Sequence, residues 1–180
     1  MQNALFYILL MLIGKAYTYL PKTYDIRFIS VKVTGPDFVD LSKVRFLGRD
    51  RKANGTVEVK EIIDNTYSVS VDSFIDSNGG GDYKQLPFSA PLQKFCNAVN
   101  SHWSYIEKTL KYGENTDFPI HTRPCPVPKG IYYFKEVLAN TDGWPTMMPR
   151  GYLKGVVKLF KNGKYVGGAE AVSLITDIAQ

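Results

Sequence analysis

The sequence predicts an all-β protein, an immunoglobulin-like antiparallel β-sandwich carrying one amphipathic helix. Three observations lead there. Short runs rich in Val, Ile, Tyr and Phe recur along most of the chain, with apolar and polar residues alternating. Turn residues such as Gly35-Pro36-Asp37 and Asn162-Gly163 punctuate them. Only one stretch, Ser89 to Gly113, carries a helical period.

The elements follow in order. The first apolar run, Ala4 to Ile13, is too short to span a bilayer and is followed by Gly14-Lys15-Ala16. We read residues 1–16 as a signal peptide and residues 17–180 as one mature, secreted domain. Tyr24–Val33 is the first predicted strand, and a change of phase near Ile29 predicts a bulge. Phe38–Leu47 is the second. Arg49–Gly55 reads as a polar hairpin tip turning at Asn54-Gly55. Asn54-Gly55-Thr56 is a glycosylation sequon, placing Asn54 on that exposed turn. Val57–Ile63 and Tyr67–Ile75 are further strands, and Gly79-Gly80-Gly81 reads as a hinge-like loop.

The predicted helix has Ser89 as N-cap, Pro91 in its first turn and Gly113 past its end. Leu92, Phe95, Cys96, Val99, Trp103, Ile106 and Leu110 share one face. After it, four prolines between Asp117 and Lys129 predict an irregular crossing. Gly130–Val137, Gly151–Lys161 and Lys164–Asp177 complete about seven strands, and the prolines of the Trp144–Pro149 loop keep it out of a central strand.

Composition narrows the function. Of 180 residues 44% are hydrophobic, ordinary for a globular chain with a real core, and the 12 Tyr, 10 Phe and 2 Trp suit a wide apolar interior with wet rims. The net charge of +5 is spread along the chain with no basic block, which argues against nucleic-acid binding. Two cysteines in a secreted chain favour one disulfide, Cys96 to Cys125; the alternative is two free thiols. They are too few for a zinc site, and His102 and His121 do not complete a ligand spacing, so no metal and no cofactor is expected. No Gly-x-Ser-x-Gly elbow or paired-histidine motif occurs, so no catalytic residue is assigned and the chain is not read as an enzyme.

One ordered series adds a family likeness. Cys96 in an amphipathic stretch is followed by Cys125-Pro126-x-x-Lys129-Gly130-x-Tyr132-Tyr133. Then come Trp144-Pro145, Met148-Pro149-Arg150-Gly151 and Gly167-Gly168. This series resembles the insect secreted proteins of the ML lipid-recognition superfamily, on the ganglioside-activator-like branch that holds the chemosensory CheA and CheB proteins. The resemblance implies two sheets that part to form a lipid-binding cup. It implies as partner a small hydrophobic molecule, such as a fatty acid, glycolipid or hydrocarbon pheromone. A chemosensory receptor or a membrane surface is the implied larger partner. Two alternatives stay open, a lipid-presenting activator of a receptor or enzyme, and an innate-immune binder of microbial lipid.

Apolar residues on loops are costly unless they meet a core, a membrane or a ligand. The expected lining of the cavity is therefore Phe118, Trp144, Met147 and Met148 from loops. Leu92, Phe95, Val99, Trp103 and Ile106 would join from the helix, and Phe74 and Tyr133 from strands. Each also has a plainer reading as ordinary core or as a closed cap.

Overall fold

The computed structural model describes residues 22–35 and 38–178. The predicted signal peptide lies outside the described residues. The described residues form ten strands in two antiparallel sheets, as the alternating runs predict. They are β1 (Tyr24–Thr34), β2 (Val39–Asp40), β3 (Arg45–Leu47), β4 (Lys52–Val59), β5 (Tyr67–Asp76), β6 (Lys84–Gln85), β7 (Ala90–Lys94), β8 (Gly130–Val137), β9 (Gly151–Lys161) and β10 (Lys164–Asp177). The larger sheet runs β1-β10-β9-β5, with β6 and β7 pairing successive parts of β5. In the smaller sheet β4 is central, with β2 and β3 along one edge and β8 along the other.

The count exceeds seven for local reasons. The predicted Phe38–Leu47 strand breaks into β2 and β3 at a turn closed by the Val44 amide donating to the Leu41 carbonyl, 3.0 Å. The hairpin between β3 and β4 turns earlier than expected, at Gly48 and Arg51, whose backbones have φ of 71° and 56°. Asn54 and Gly55 consequently lie within β4.

The single long helix is the main correction. Ala90–Lys94 pairs with β5 as strand β7, and the helical part divides into α1 (Phe95–Ser101) and α2 (Trp103–Thr109). Ser89 and Pro91 therefore precede the helix instead of opening it. Five residues with two apolar positions fit either period, and an unpaired edge of β5 was available to satisfy their backbone groups. The break falls at His102, with φ −109° and ψ 9°. Its ring Nδ1 lies 2.9 Å from the Ala98 carbonyl oxygen. Asn65, from the turn before β5, supplies a distant cap: its side-chain oxygen accepts from the Cys96 amide at 3.1 Å.

Cys96 and Cys125 form the expected disulfide, with Cα atoms 5.6 Å apart. It ties α1 to the proline-rich crossing, where Ile63 and Val127 make a mutual backbone bridge at 2.9 and 3.1 Å. The expected bulge in β1 is also present: pairing with β10 shifts between Phe28 and Ser30. Arg51 satisfies the disturbed carbonyls, donating to Phe28 O at 3.0 Å and to Ile29 O at 2.6 Å. Phe28 stacks on Phe46 of β3 at 5.5 Å, so this edge joins the two sheets.

The covalent loop spans a sequence separation of 29, so Cys96→Ser should lower unfolding free energy by about 3–4 kcal/mol on the chain-entropy account. Urea denaturation of the oxidised protein and the variant checks this; a loss below about 1 kcal/mol would show that the crossing is held by its other contacts.

Candidate functional site

The inner face of the larger sheet follows from its register, because directly opposed residues share a face. Val69 lies opposite Leu159, Val71 opposite Val157, Ser73 opposite Gly155 and Ile75 opposite Leu153. Gly155 in turn faces Ala171, with Val157 beside Ala169 and Leu153 beside Ser173. Past the bulge, Val31 meets Ala171. None of these positions carries a charge.

Two buried apolar clusters stand at opposite ends of this face, and at the β1 edge between them Phe28, opposite Ser173, stacks on Phe46. At one end Tyr24, Ile26, Met148 and Ile175 form a buried cluster, with Ala139, Trp144 and Leu153 packed on it. At the other, Phe38, Val59, Ile63, Tyr67, Val69 and Leu159 form a second, joined by Phe95, Ala98 and Tyr132. Between them the floor is Ser73, Gly155, Ala169, Ala171 and Ser173. Among the described residues no atom lies within 4 Å of a Cβ built on Gly155. Ala171 is exposed, and Val31, Val71 and Val157 are only half-buried. Burial between the clusters is mixed: Ser173, Val57 and Ala53 are buried, whereas Val31, Val71, Val157 and Gly155 are half-buried.

The expected lining residues divide accordingly. Trp103 is buried, yet belongs to neither cluster. Phe95 packs on the Tyr67 cluster, and Val99 and Ile106 are half-buried along the helices. Phe118 stands edge-on to Tyr132 at 5.0 Å. Trp144 and Met148 close the Tyr24 end as a cap, and Met147 points away from it, 78% exposed. Leu92 on β7 is 59% exposed. Phe74 and Tyr133 occupy the outer faces, one step out of phase with the inward Ile75 and Tyr132. The small residues between the clusters are not among the expected lining. The signal was present: alternate positions of β10 read Gly167, Ala169, Ala171, Ser173.

Polar side chains hold the frame around this space. Arg150 clamps the Tyr24 end, donating to Asp177 at 2.8 Å, to the Thr23 hydroxyl at 2.9 Å and to the Met148 carbonyl, with its guanidinium over the Tyr24 ring. The Tyr24 hydroxyl donates to Pro145 O at 2.8 Å. Burial pushes the Tyr24 phenol above its usual range, against the opposing pull of Arg150. Lys22 reaches the Thr141 hydroxyl on the same cap. Asn54, the sequon residue, accepts from the Glu136 amide at 2.9 Å and donates to Lys52 O at 3.2 Å. It is half-buried on a strand and holds the left-handed Glu136 in β8; it is not on an exposed turn.

The glycine-rich loop is organised rather than hinge-like. Asp76, buried at 3% exposure, accepts from the amides of Asn78 (3.1 Å), Gly79 (2.9 Å) and Gly81 (2.6 Å). These donors, led by Gly81, hold its carboxyl below the usual range. Glu61 is likewise held low, chiefly by Lys161 at 2.7 Å and by Tyr67.

Elsewhere, an open cleft of about 390 Å³ lies between the end of α2 and the Ile120–Thr122 turn, lined by Glu107, Lys111, Tyr112, Glu114, His121 and Arg123 over Leu110 and Ile120. Among the described residues no group of three or more His, Cys, Asp or Glu is placed to hold a metal ion.

Residues 69–154 match a family described as "Protein of unknown function (DUF1091)". The match takes in just under half of the chain and includes both helices and both cysteines. No curated protein matches the chain.

The lowered carboxyls set the response to acid. Each contributes stability that is complete above its unfolded pKa, about 3.9 for Asp and 4.3 for Glu, and lost as pH falls through the lower folded value. The urea midpoint should therefore stay level down to about pH 5 and drop below about pH 4. Asp76→Asn should drop less steeply, and limited proteolysis should cut its 77–82 loop faster than wild type. Equal acid slopes for the two proteins would remove Asp76 from this account.

Proposed function

We propose that this protein is a secreted carrier for a small hydrophobic molecule, held between its sheets. The observation that carries the reading is the divided core. An uncharged face with Gly155, Ala171 and Ser73 at its centre leaves apolar walls half-buried where a filled sandwich would bury them. Half-buried Val31, Val71 and Val157 gain from a guest that excludes water. Burial of about ten methylenes contributes on the order of 8 kcal/mol before ordering costs, so no polar anchor is needed for useful affinity.

The helices and the Trp144–Met148 segment act as walls on this reading. The disulfide supports passage through an oxidising compartment. The motif series likened to the insect lipid-recognition proteins falls inside the 69–154 match except for Gly167-Gly168. That coincidence supports the ganglioside-activator-like branch as the wider family. Handling of a fatty acid, glycolipid or cuticular hydrocarbon in chemosensation rests on that likeness.

Displacement of a fluorescent fatty-acid probe by lipids of several classes tests the proposal on oxidised protein. Wild type should bind the probe and release it to at least one class. Gly155→Phe, which fills the open centre, should weaken binding at least about tenfold while circular dichroism stays native, since it forfeits burial of more than about 1.4 kcal/mol. Absence of probe binding, or unchanged affinity in Gly155→Phe, would sink the inter-sheet carrier.

A further inference from the structure

The outer face of the smaller sheet has a composition that its structural role does not require. Register fixes which residues share it. Arg45 lies opposite Asn54 and Leu47 opposite Lys52, on the side away from the inward Phe46. Thr56 lies opposite Tyr133, and Glu58 opposite Ile131. Three large apolar side chains therefore point outward from one sheet: Leu47 is 53% exposed, Ile131 61% and Tyr133 36%. Spread along β4 from Lys52 to Glu58, they cover about 20 Å.

Cations gather at the Leu47 end of this row. Lys43, Arg45, Arg49, Arg51 and Lys52 fall within ten residues, against the single acid Asp50. This stretch carries most of the chain's net charge of +5, so the positive charge is concentrated, contrary to the even spread expected from the sequence. Arg51 is committed to the β1 bulge and Lys52 pairs with Glu136 at 3.7 Å. Lys43, Arg45 and Arg49 are exposed, with Arg45 also donating to the Ser42 and Val44 carbonyls. Glu58 and Asp40 lie on the same side, so the face is basic at its Leu47 end and mixed at its Ile131 end.

We propose that this outer face docks on an anionic lipid surface, with Leu47, Tyr133 and Ile131 entering the interface and Lys43, Arg45 and Arg49 meeting the head groups. Charge complementarity at the Leu47 end selects an anionic partner. The outward Leu, Ile and Tyr select a bilayer over a dissolved polyanion, because exposed aliphatic and tyrosine side chains gain from the acyl boundary and gain nothing from a sulfated chain. The proposal uses the opposite face of the sheet from the carrier space and stands without a bound guest.

Co-sedimentation of the disulfide-intact protein with vesicles tests it. Binding should appear with phosphatidylserine in phosphatidylcholine vesicles, be weak with phosphatidylcholine alone, and fall as salt is raised. Lys43→Glu combined with Arg49→Glu should lower affinity at least about tenfold. Leu47→Ser combined with Ile131→Ser should lower it several-fold while leaving retention on heparin unchanged; thermal melting confirms that both variants fold. Failure to bind the phosphatidylserine vesicles, equal binding to phosphatidylcholine alone, or binding indifferent to the Leu47 and Ile131 changes would overturn the proposal, the last in favour of a soluble polyanion.

Discussion

Two sheets in a sandwich stand about 10 Å apart, and only large side chains can close that distance. Where such residues are placed governs everything else in this molecule. Tyr24, Met148 and Ile175 close one end, and Phe38, Tyr67 and Leu159 close the other. The centre has Gly155, Ala171 and Ser73, which cannot reach across. The sheets are held by these two packed ends and by the Phe28–Phe46 stack at the β1 edge.

The frame tolerates an open centre because its irregular points are tied down by polar side chains. A bulge interrupts ladder bonding and leaves backbone groups short of partners. Arg51 answers that need at β1, and Asn54 does so at β8. Asp76 performs the same task for a loop, gathering three amides. Arg150 joins the C-terminal end of β10 to the Tyr24 cap. In each case one side chain makes two or more hydrogen bonds at a point where the ladder is interrupted or ends.

Much of this was legible in the sequence, for identifiable reasons. Alternation revealed the long strands, since it reports directly which face meets the core. The β1 bulge showed as a slip in that alternation, and the disulfide followed from there being two cysteines to pair. The helix was half legible. Its period holds from Phe95 onward, but Pro91 and Leu92 belong to a strand whose partner, β5, is visible only in three dimensions. Asn54-Gly55 is a strong hairpin signal that lost to Gly48, because the pairing of Leu47 with Lys52 fixes the turn sooner. Phe74 and Tyr133 were expected to point inward and sit one step from that phase, because a bulge and a pairing partner decide the phase of a strand and neither shows in its own residues.

The crossing beside β8 has one further consequence. That strand would otherwise present a free edge of unpaired donors. Instead Asp117 accepts the Tyr133 amide at 2.7 Å, Asn115 O accepts the Lys135 amide at 2.9 Å, and Thr116 bridges Phe134. A non-repeating stretch, unable to propagate a ladder, occupies the row on which a foreign chain would build. The smaller sheet therefore ends here as a finished surface, refusing fibrillar growth by extension along β8.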